Sequence, residues 1–393
     1  METEITSLLT KEALKLLARV GPLDSKADVL SLIKSLRKEN LDPQLVTTVI
    51  NQSRLRHRAI NKFGDFAGNM LFTEAGLEQA TRFPVAALHA ERFRDAGITS
   101  ISDLGCGIGS DSLAFAALGM RVESFEKDEE TAALASFNLA SFPEATVHNQ
   151  DALEAKITTE ALWLDPARRE LASKRESHIR LTPEDFSPNL NFVFELAAKY
   201  PTGVKLSPAF DHDLIPEDAE AIWVSHNSDL VELLLWFGKL AEPGKTSALM
   251  LKAGSRHVFE GDNQIQAPTA KLGRYLFEPD TSLIRSHLMG DFAIRLGLGV
   301  TAPGIAYLTG DKLIDSPWFR AFEILDVLPL DEKQIRRYMA DNNIGRLEIK
   351  KRGVDITPEE LRPKLKLKGK NPATLVLTKV GEARKAIVCK SLS

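Results

Sequence analysis

Cysteine is nearly absent: Cys106 and Cys389 are the only two in 393 residues. Two thiols so far apart exclude a disulfide framework, a cysteine zinc site and an iron–sulfur cluster, and they fit a reducing, cytoplasmic compartment. No metal site is expected. Long apolar runs are missing too. "LAFAALGM" and "VELLLWF" fall well short of the ~20 residues a membrane span requires, so no membrane association is expected. The N-terminus, "METEITSLLTKEAL", lacks the basic n-region and cleavage site of a secretory signal. Internal repeats and low-complexity tracts are also lacking. Positive net charge is absent overall, at −4, but the balance is uneven. From Lys333 to Ser393 there are 16 Lys and Arg against 6 Asp and Glu, a net +10 that leaves −14 on the rest of the chain. A basic face of that size can neutralise several phosphates, or it can balance an acidic neighbouring domain; charge alone favours neither.

What remains is ordinary globular composition, 44% hydrophobic and 26% charged, in a chain long enough for two or three domains. Residues 1–97 read as helical, with apolar positions at i, i+3, i+4 and i+7 in "ITSLLTKEALKLLARV" and "KADVLSLIKSLRKEN". From Ser100 the pattern changes. "SISDLG", "RVESFE", "TVHNQD", "ALWLDP" and "GVKLSPA" are expected strands, with helices "DSLAFAALG" and "ETAALASFNLASF" between the first three. "AIWVSHN" and "SALMLKAG" add two strands, with "SDLVELLLWFGKLA" expected as a helix between them. Strand–helix alternation predicts an α/β fold with a parallel sheet covered on both faces. The expected division is a helical domain over 1–97, the sheet domain over 98–255, a connecting α/β segment over 256–317, and a small basic α+β domain over 318–393.

"DLGCGIGSDS" follows the first expected strand. A dinucleotide fingerprint is G-x-G-x-x-G, but here the glycines are Gly105, Gly107 and Gly109, after Asp103. That spacing suits S-adenosylmethionine better than NAD. The methyl donor has no pyrophosphate to cradle, and a backbone free of Cβ atoms can pass beneath its amino acid and ribose. Asp103 is placed to help hold the ammonium through the loop. Glu126 ends the second strand, where a carboxylate accepts both ribose hydroxyls. Asp151 ends the third, within reach of the adenine amino group. Three acids at successive strand ends make coincidence a poor explanation. "GKLAEPGKTS" resembles a Walker A loop, but five residues separate Gly238 from Gly244 where four are required; it reads as a helix C-cap and turn.

With these residues in view, nearly the whole chain resembles class I S-adenosylmethionine-dependent methyltransferases, and within them a bacterial group with a C-terminal THUMP-like domain. The resemblance is carried by "LFTEAGLEQAT", "DLGCGIGSDSLAFA", "WLDPARRE", "YLFEPD" and "GRLEIKKRGVDITPEELRPKLKLKG". It implies a seven-stranded Rossmann-like sheet, S-adenosylmethionine as cofactor, an RNA substrate such as tRNA or rRNA, and cofactor binding by Asp103, Gly105, Gly107, Gly109, Glu126 and Asp151.

"DPAR" ends the fourth expected strand. Enzymes that methylate exocyclic amines of bases carry Asn/Asp-Pro-Pro-aromatic there, accepting hydrogen bonds from the target NH₂ and stacking on the base. Here Asp165 and Pro166 fit that pattern, Ala167 replaces the second proline, and Arg168 replaces the aromatic. Asp165, Pro166 and Arg168 are the expected catalytic residues. An arginine plane can still stack on a base or grip a phosphate. Methylation at C5 of a pyrimidine needs a cysteine nucleophile, and neither cysteine is suitably placed, so nitrogen or oxygen is expected as the target. Phe72, Thr73, Gln79, Arg169, Lys350, Lys351 and Arg352 are further candidates for substrate contact. "QSRLRHRAINK" sets Arg54, Arg58 and Lys62 on one helix face, as a phosphate-contacting or merely solvated surface. Two other functions stay open: methylation of a small molecule or protein, and a non-catalytic RNA-binding scaffold.

Overall fold

The computed structural model describes residues 8–23, 26–39, 41–168 and 182–392. The chain divides into two compact units. The first comprises Met1–Leu206, Asp211–Glu220 and Leu234–Pro243, and the second Ser207–Phe210, Ala221–Leu233 and Gly244–Ser393.

The first unit begins with helices α1 (Lys11–Val20), α2 (Lys26–Arg37) and α3 (Pro43–Phe63). Thr10 caps α1 by accepting from the Ala13 amide. Asp42 caps α3, and Pro43 sits at the first helical position, where its missing N–H costs nothing. Helices α4 (Glu74–Gln79) and α5 (Phe83–Asp95) lead into strand β1 (Ser100–Leu104). The alternation read from the sequence follows: α6 (Ser110–Ala117), β2 (Arg121–Glu126), α7 (Glu129–Leu139), β3 (Ala145–Asn149), β4 (Ala161–Leu164) and, after α8 (Leu190–Ala197), β7 (Thr202–Leu206). Two short strands, β5 (Ala167–Arg168) and β6 (Phe186–Ser187), pair antiparallel beside this path. The sheet order is β7-β4-β1-β2-β3, every neighbouring pair parallel. Connections run one way from β1 to β3 and the other way from β4 to β7. The carboxyl ends of β1 and β4 therefore form the switch point at which open α/β sheets bind ligands. Leu17, Val49 and Phe63 of the N-terminal helices share one core with Ile108, Leu113 and Leu139.

Strand β8 (Glu220–His226) turns at Asn227 and Ser228, whose φ values of 51° and 72° are those of a tight hairpin turn, into β9 (Asp229–Phe237). This corrects the expected helix over "SDLVELLLWFGKLA". The unbroken run Leu233–Phe237 is buried throughout, the pattern of a strand covered on both faces, which periodicity cannot distinguish from a buried helix. The turn Gly238–Leu240 thus follows a strand and is no helix cap. The sheet order continues from β7 through β9 and β8 to β10 (Thr246–Lys252) and β11 (Ser255–Glu260), nine strands where the resemblance implies seven.

The second unit carries a seven-stranded sheet in the order β13-β14-β12-β15-β18-β17-β16. Its strands are β12 (Tyr275–Pro279), β13 (Gly299–Val300), β14 (Leu308–Gly310), β15 (Phe319–Pro329), β16 (Ile344–Lys351), β17 (Asn371–Val380) and β18 (Ala383–Ser391). The segment "TSLIRSHLMGDFAIRLGL" forms two helices, α9 (Thr281–Arg285) and α10 (Met289–Arg295), broken where His287 takes φ 63°. Helices α11 (Glu332–Asp341) and α12 (Pro358–Leu365) cover β16, β17 and β18 through Ile335, Met339, Leu361 and Leu365.

Candidate active site

Strand β1 is buried along its whole length and delivers the chain into the loop Gly105–Gly109. Gly105, Gly107 and Gly109 take φ values of 96°, 55° and 82°, a region that costs other L-residues roughly 1–2 kcal/mol. The Gly105 and Cys106 amides both donate to the Phe125 carbonyl of β2, at 2.9 and 3.0 Å. Glu126 holds the same loop by its carboxylate: Oε2 accepts from the Gly107 amide at 3.1 Å and Oε1 from the Asp128 amide at 2.9 Å. A Cβ at Gly105 or Gly107 would meet nothing within 4 Å, so the loop's outer side is open to a ligand approaching the backbone.

The strand registers align the remaining candidates. Leu104 pairs with Phe125 and Leu164, Glu126 with Asn149, and Leu164 with Val204. One residue further along each strand, Lys205, Asp165, Gly105, Glu126 and Asn149 form a row along the carboxyl edge of five parallel strands. Asp151 lies two residues past Asn149, half-buried, and caps the turn Ala152–Glu154 by accepting from the Leu153 amide at 2.9 Å.

Asp103 stands on β1 two residues before Gly105 of this row, 1% exposed, where its Oδ2 accepts from Ser112 Oγ at 2.5 Å. Burial, then the nearby Asp111, pushes its carboxyl up to about 8. Through Ser112 Oγ, which also meets Ser124 Oγ at 2.8 Å, it ties β1 to α6 and β2. Asp111 is buried as well, yet hydrogen bonds from His89 and Thr81, with the charges of His89 and Lys205, overcome desolvation and lower its pKa. Burial, with Asp103 and Glu126 close by, holds the Cys106 thiol well above its ordinary range. Burial pushes Cys389 up to about 12. Neither thiol is a ready nucleophile at neutral pH.

At the end of β4, Asp165 is half-exposed and ion-paired with Lys205 of β7. Lys205 Nζ donates to Thr81 Oγ1 at 2.9 Å, Thr81 donates to Asp111 Oδ2 at 2.8 Å, and Asp111 Oδ1 meets His89 Nδ1 at 2.8 Å. The His89 ring stacks on Trp163 of β4 with centroids 4.4 Å apart. Thr81 and Asp111 lie within the segments "LFTEAGLEQAT" and "DLGCGIGSDSLAFA" and Lys205 is a lone lysine in the apolar strand "GVKLSPA", but nothing in the sequence links these three to one another or to His89. Pro166 is buried, while Arg168 is exposed on β5 opposite Phe186. Arg169 lies outside the described residues.

The other candidates are scattered. Phe72 is buried against Phe63, at 5.5 Å between ring centroids, and its backbone is bracketed by the Gln52 side chain. Thr73 is the N-cap of α4, accepting from the Gly76 amide at 2.9 Å, and Gln79 is exposed on the same helix. Lys62 donates to the carbonyls of Leu77, Glu78 and Ala80, and Arg58 pairs with Glu74, so these two cations fasten α4. In the second unit, Lys350 pairs with Glu278 at 2.7 Å, and the Arg352 guanidinium lies 5.1 Å from the Tyr307 ring centre. Lys351, Lys366 and Lys368 are exposed.

A glycine loop at the switch point of a parallel sheet, with acids at successive strand ends, defines a nucleoside-cofactor enzyme of the class I methyltransferase architecture. Comparison with known proteins agrees. Residues 319–391 match a family described as THUMP domain-like, and residues 2–59 match a domain of unknown function (DUF8688). Two Mycobacterium tuberculosis proteins, from strains CDC 1551 and H37Rv, are each named an uncharacterized S-adenosylmethionine-dependent methyltransferase. Each is 32% identical to this chain over 349 residues, covering 86% of it and 93% of the relative. A crystal structure described as a candidate methyltransferase from Porphyromonas gingivalis W83 shares the fold at a TM-score of 0.73. Its sequence is 19% identical, and the match covers 94% of this chain and 100% of that one. The chain belongs to the S-adenosylmethionine-dependent methyltransferases, and S-adenosylmethionine is its cofactor. The residues present fit that group: a loop at the switch point, open at Gly105 and Gly107, is flanked by the Glu126 and Asp151 carboxylates.

Proposed function

We propose that this enzyme methylates a base of RNA, tRNA or rRNA, at a nitrogen atom, in the cytoplasm. The observation that carries the reading is Asp165. It sits on the β4 end in register with Gly105, beside the loop that serves the cofactor and before an exposed arginine. When bound, S-adenosylmethionine supplies a methyl group on a positively charged sulfur. Glu126 holds the ribose hydroxyls, Asp151 the adenine amino group, and Gly105, Gly107 and Gly109 let the backbone pass beneath, with Asp103 bracing the loop. Asp165 accepts a hydrogen bond from the target N–H and aligns the nitrogen lone pair with the methyl, so that proximity carries most of the rate. Pro166 stiffens that strand end. Arg168, with Arg169, grips the base plane or a flanking phosphate.

Nitrogen is favoured over pyrimidine C5 because both thiols are buried and protonated at neutral pH. RNA is favoured by the THUMP-like match over the basic C-terminal residues. Lys350, Lys351 and Arg352 belong to that face. Lys351 is the exposed one of the three, with Lys366 and Lys368 further along. The working division of labour assigns chemistry to residues 98–255, substrate grip to 318–393, and closure over the cofactor loop to 1–97, with 256–317 connecting.

The test is transfer of tritiated methyl from S-adenosylmethionine to separated RNA, protein and small-molecule pools, with Asp165→Ala as control. Label in RNA that disappears in the variant is the expected result. Label confined to another pool would replace the substrate class, and cofactor binding with no transfer to any pool would make the protein a scaffold.

A further inference from the structure

Asp165 is one end of a chain of held groups. Its partner Lys205 has a side chain only 13% exposed, against 36% for Asp165 itself, so the ammonium end of the pair is largely withdrawn from solvent while the carboxylate end faces it. Lys205 is fixed in turn by Thr81, Thr81 by Asp111, and Asp111 by His89, which is 0% exposed and packed on Trp163. These residues come from β4, β7, α5, α6 and the segment before α5, so the arrangement belongs to the folded unit and not to a local turn. Among the described residues, Asp165 and Asp111 bear on Lys205 from the acidic side and Lys62 from the basic side, while Asp103, its carboxyl raised to about 8, is protonated at neutral pH. An aspartate at a strand end otherwise samples several rotamers and takes up a proton as pH falls. One paired with a half-buried ammonium is held to fewer rotamers and stays ionised to lower pH.

We propose that Lys205 is a positioning residue for methyl transfer, holding the Asp165 carboxylate ionised and in one orientation, the state in which it accepts a hydrogen bond from the acceptor. The inference rests on the reading of Asp165 as the group that meets the methyl acceptor. It assigns Lys205 no contact with the cofactor.

The test compares wild type with Lys205→Met, Lys205→Arg, Asp165→Asn and the double variant Lys205→Met/Asp165→Asn. Calorimetry reads S-adenosylmethionine binding, methyl transfer is followed against pH, and ¹³C NMR of labelled aspartate follows the Asp165 carboxyl. In Lys205→Met the cofactor should bind within about threefold of wild type. Transfer should fall about tenfold or more near neutral pH and recover in part at about pH 9, while the Asp165 signal titrates at higher pH. Lys205→Arg should restore the profile, and Lys205→Met should add nothing to Asp165→Asn. An unmoved pH profile, an unmoved Asp165 titration, or additive losses in the double variant would each overturn the proposal. If wild type labels no RNA, the RNA reading fails by itself. The NMR comparison needs no substrate and still decides whether Lys205 holds the Asp165 carboxylate ionised; an unmoved titration overturns the proposal whatever the substrate.

Discussion

Asp103 is 1% exposed, and burial followed by Asp111 raises its carboxyl to about 8 in the folded protein, against an ordinary aspartate value of 3.8. Between those two values the folded state holds a proton that the unfolded state has released, so this group removes stability as pH rises. The limiting slope is about 1.4 kcal/mol per pH unit, and the effect levels off above about pH 8. Asp103→Asn should therefore be less sensitive to pH than wild type by about that slope between roughly pH 5 and 7, measured by urea unfolding at a series of pH values. Parallel curves would contradict it. Glu126 predicts differently. Its carboxylate accepts the Gly107 and Asp128 amides, so Glu126→Ala should weaken S-adenosylmethionine binding about tenfold or more in calorimetry, with smaller loss of global stability. At this scale the glycines and strand-end acids were legible in the sequence, because each stands at a fixed distance from an apolar run. Lys205, Thr81, Asp111 and His89 were not. They meet only after β4, β7, α5 and α6 are assembled, and a lysine in an apolar strand looks the same whether it reaches solvent or an aspartate.

At the scale of elements, the segment Met70–Thr73 and the glycine loop are joined through one side chain. Asn138 of α7 accepts from the Leu71 amide at 2.8 Å and donates to the carbonyls of Leu71 and Ile108 at 3.1 and 2.9 Å. Asn138→Ala would leave these buried groups unpaired, costing about 2–3 kcal/mol in urea unfolding and weakening cofactor binding beyond that loss. A change in stability with no change in affinity would show that the clamp does not serve the loop. Helix α4 presses on the same loop: a Cβ at Gly76 would stand 2.6 Å from Ile108 Cγ2 and 2.8 Å from Thr73 Oγ1. Gly76→Ala should displace either the helix start or Ile108, and destabilise by about 1–3 kcal/mol in the same urea titration. The βα alternation up to β4 was readable because its strands and helices differ in length and period. Strand β9 was not, since "VELLLWF" is apolar at nearly every position and its hairpin turn, Asn227–Ser228, lacks the glycine that marks most such turns.

The whole molecule carries its charge unevenly, and not all of the C-terminal positive charge is free to meet a ligand. Lys350 is held by Glu278, and Arg352 lies over Tyr307 and donates to the Ala306 carbonyl, whereas Lys351, Lys366 and Lys368 are exposed. If these exposed lysines meet RNA phosphates, replacing all three by Ala should lower the slope of log affinity against log salt by about one for each phosphate no longer neutralised, with little effect on cofactor binding. An unchanged slope would remove this face from the substrate path. The central claim is that the row Lys205, Asp165, Gly105 and Glu126 along one sheet edge serves cofactor and methyl acceptor together. The most direct test is a crystal structure with S-adenosylhomocysteine bound. The expected complex has ribose hydroxyls on Glu126, adenine beside Asp151, and the sulfur facing the Asp165–Lys205 pair. A ligand held elsewhere, or a sulfur turned away from Asp165, would contradict it.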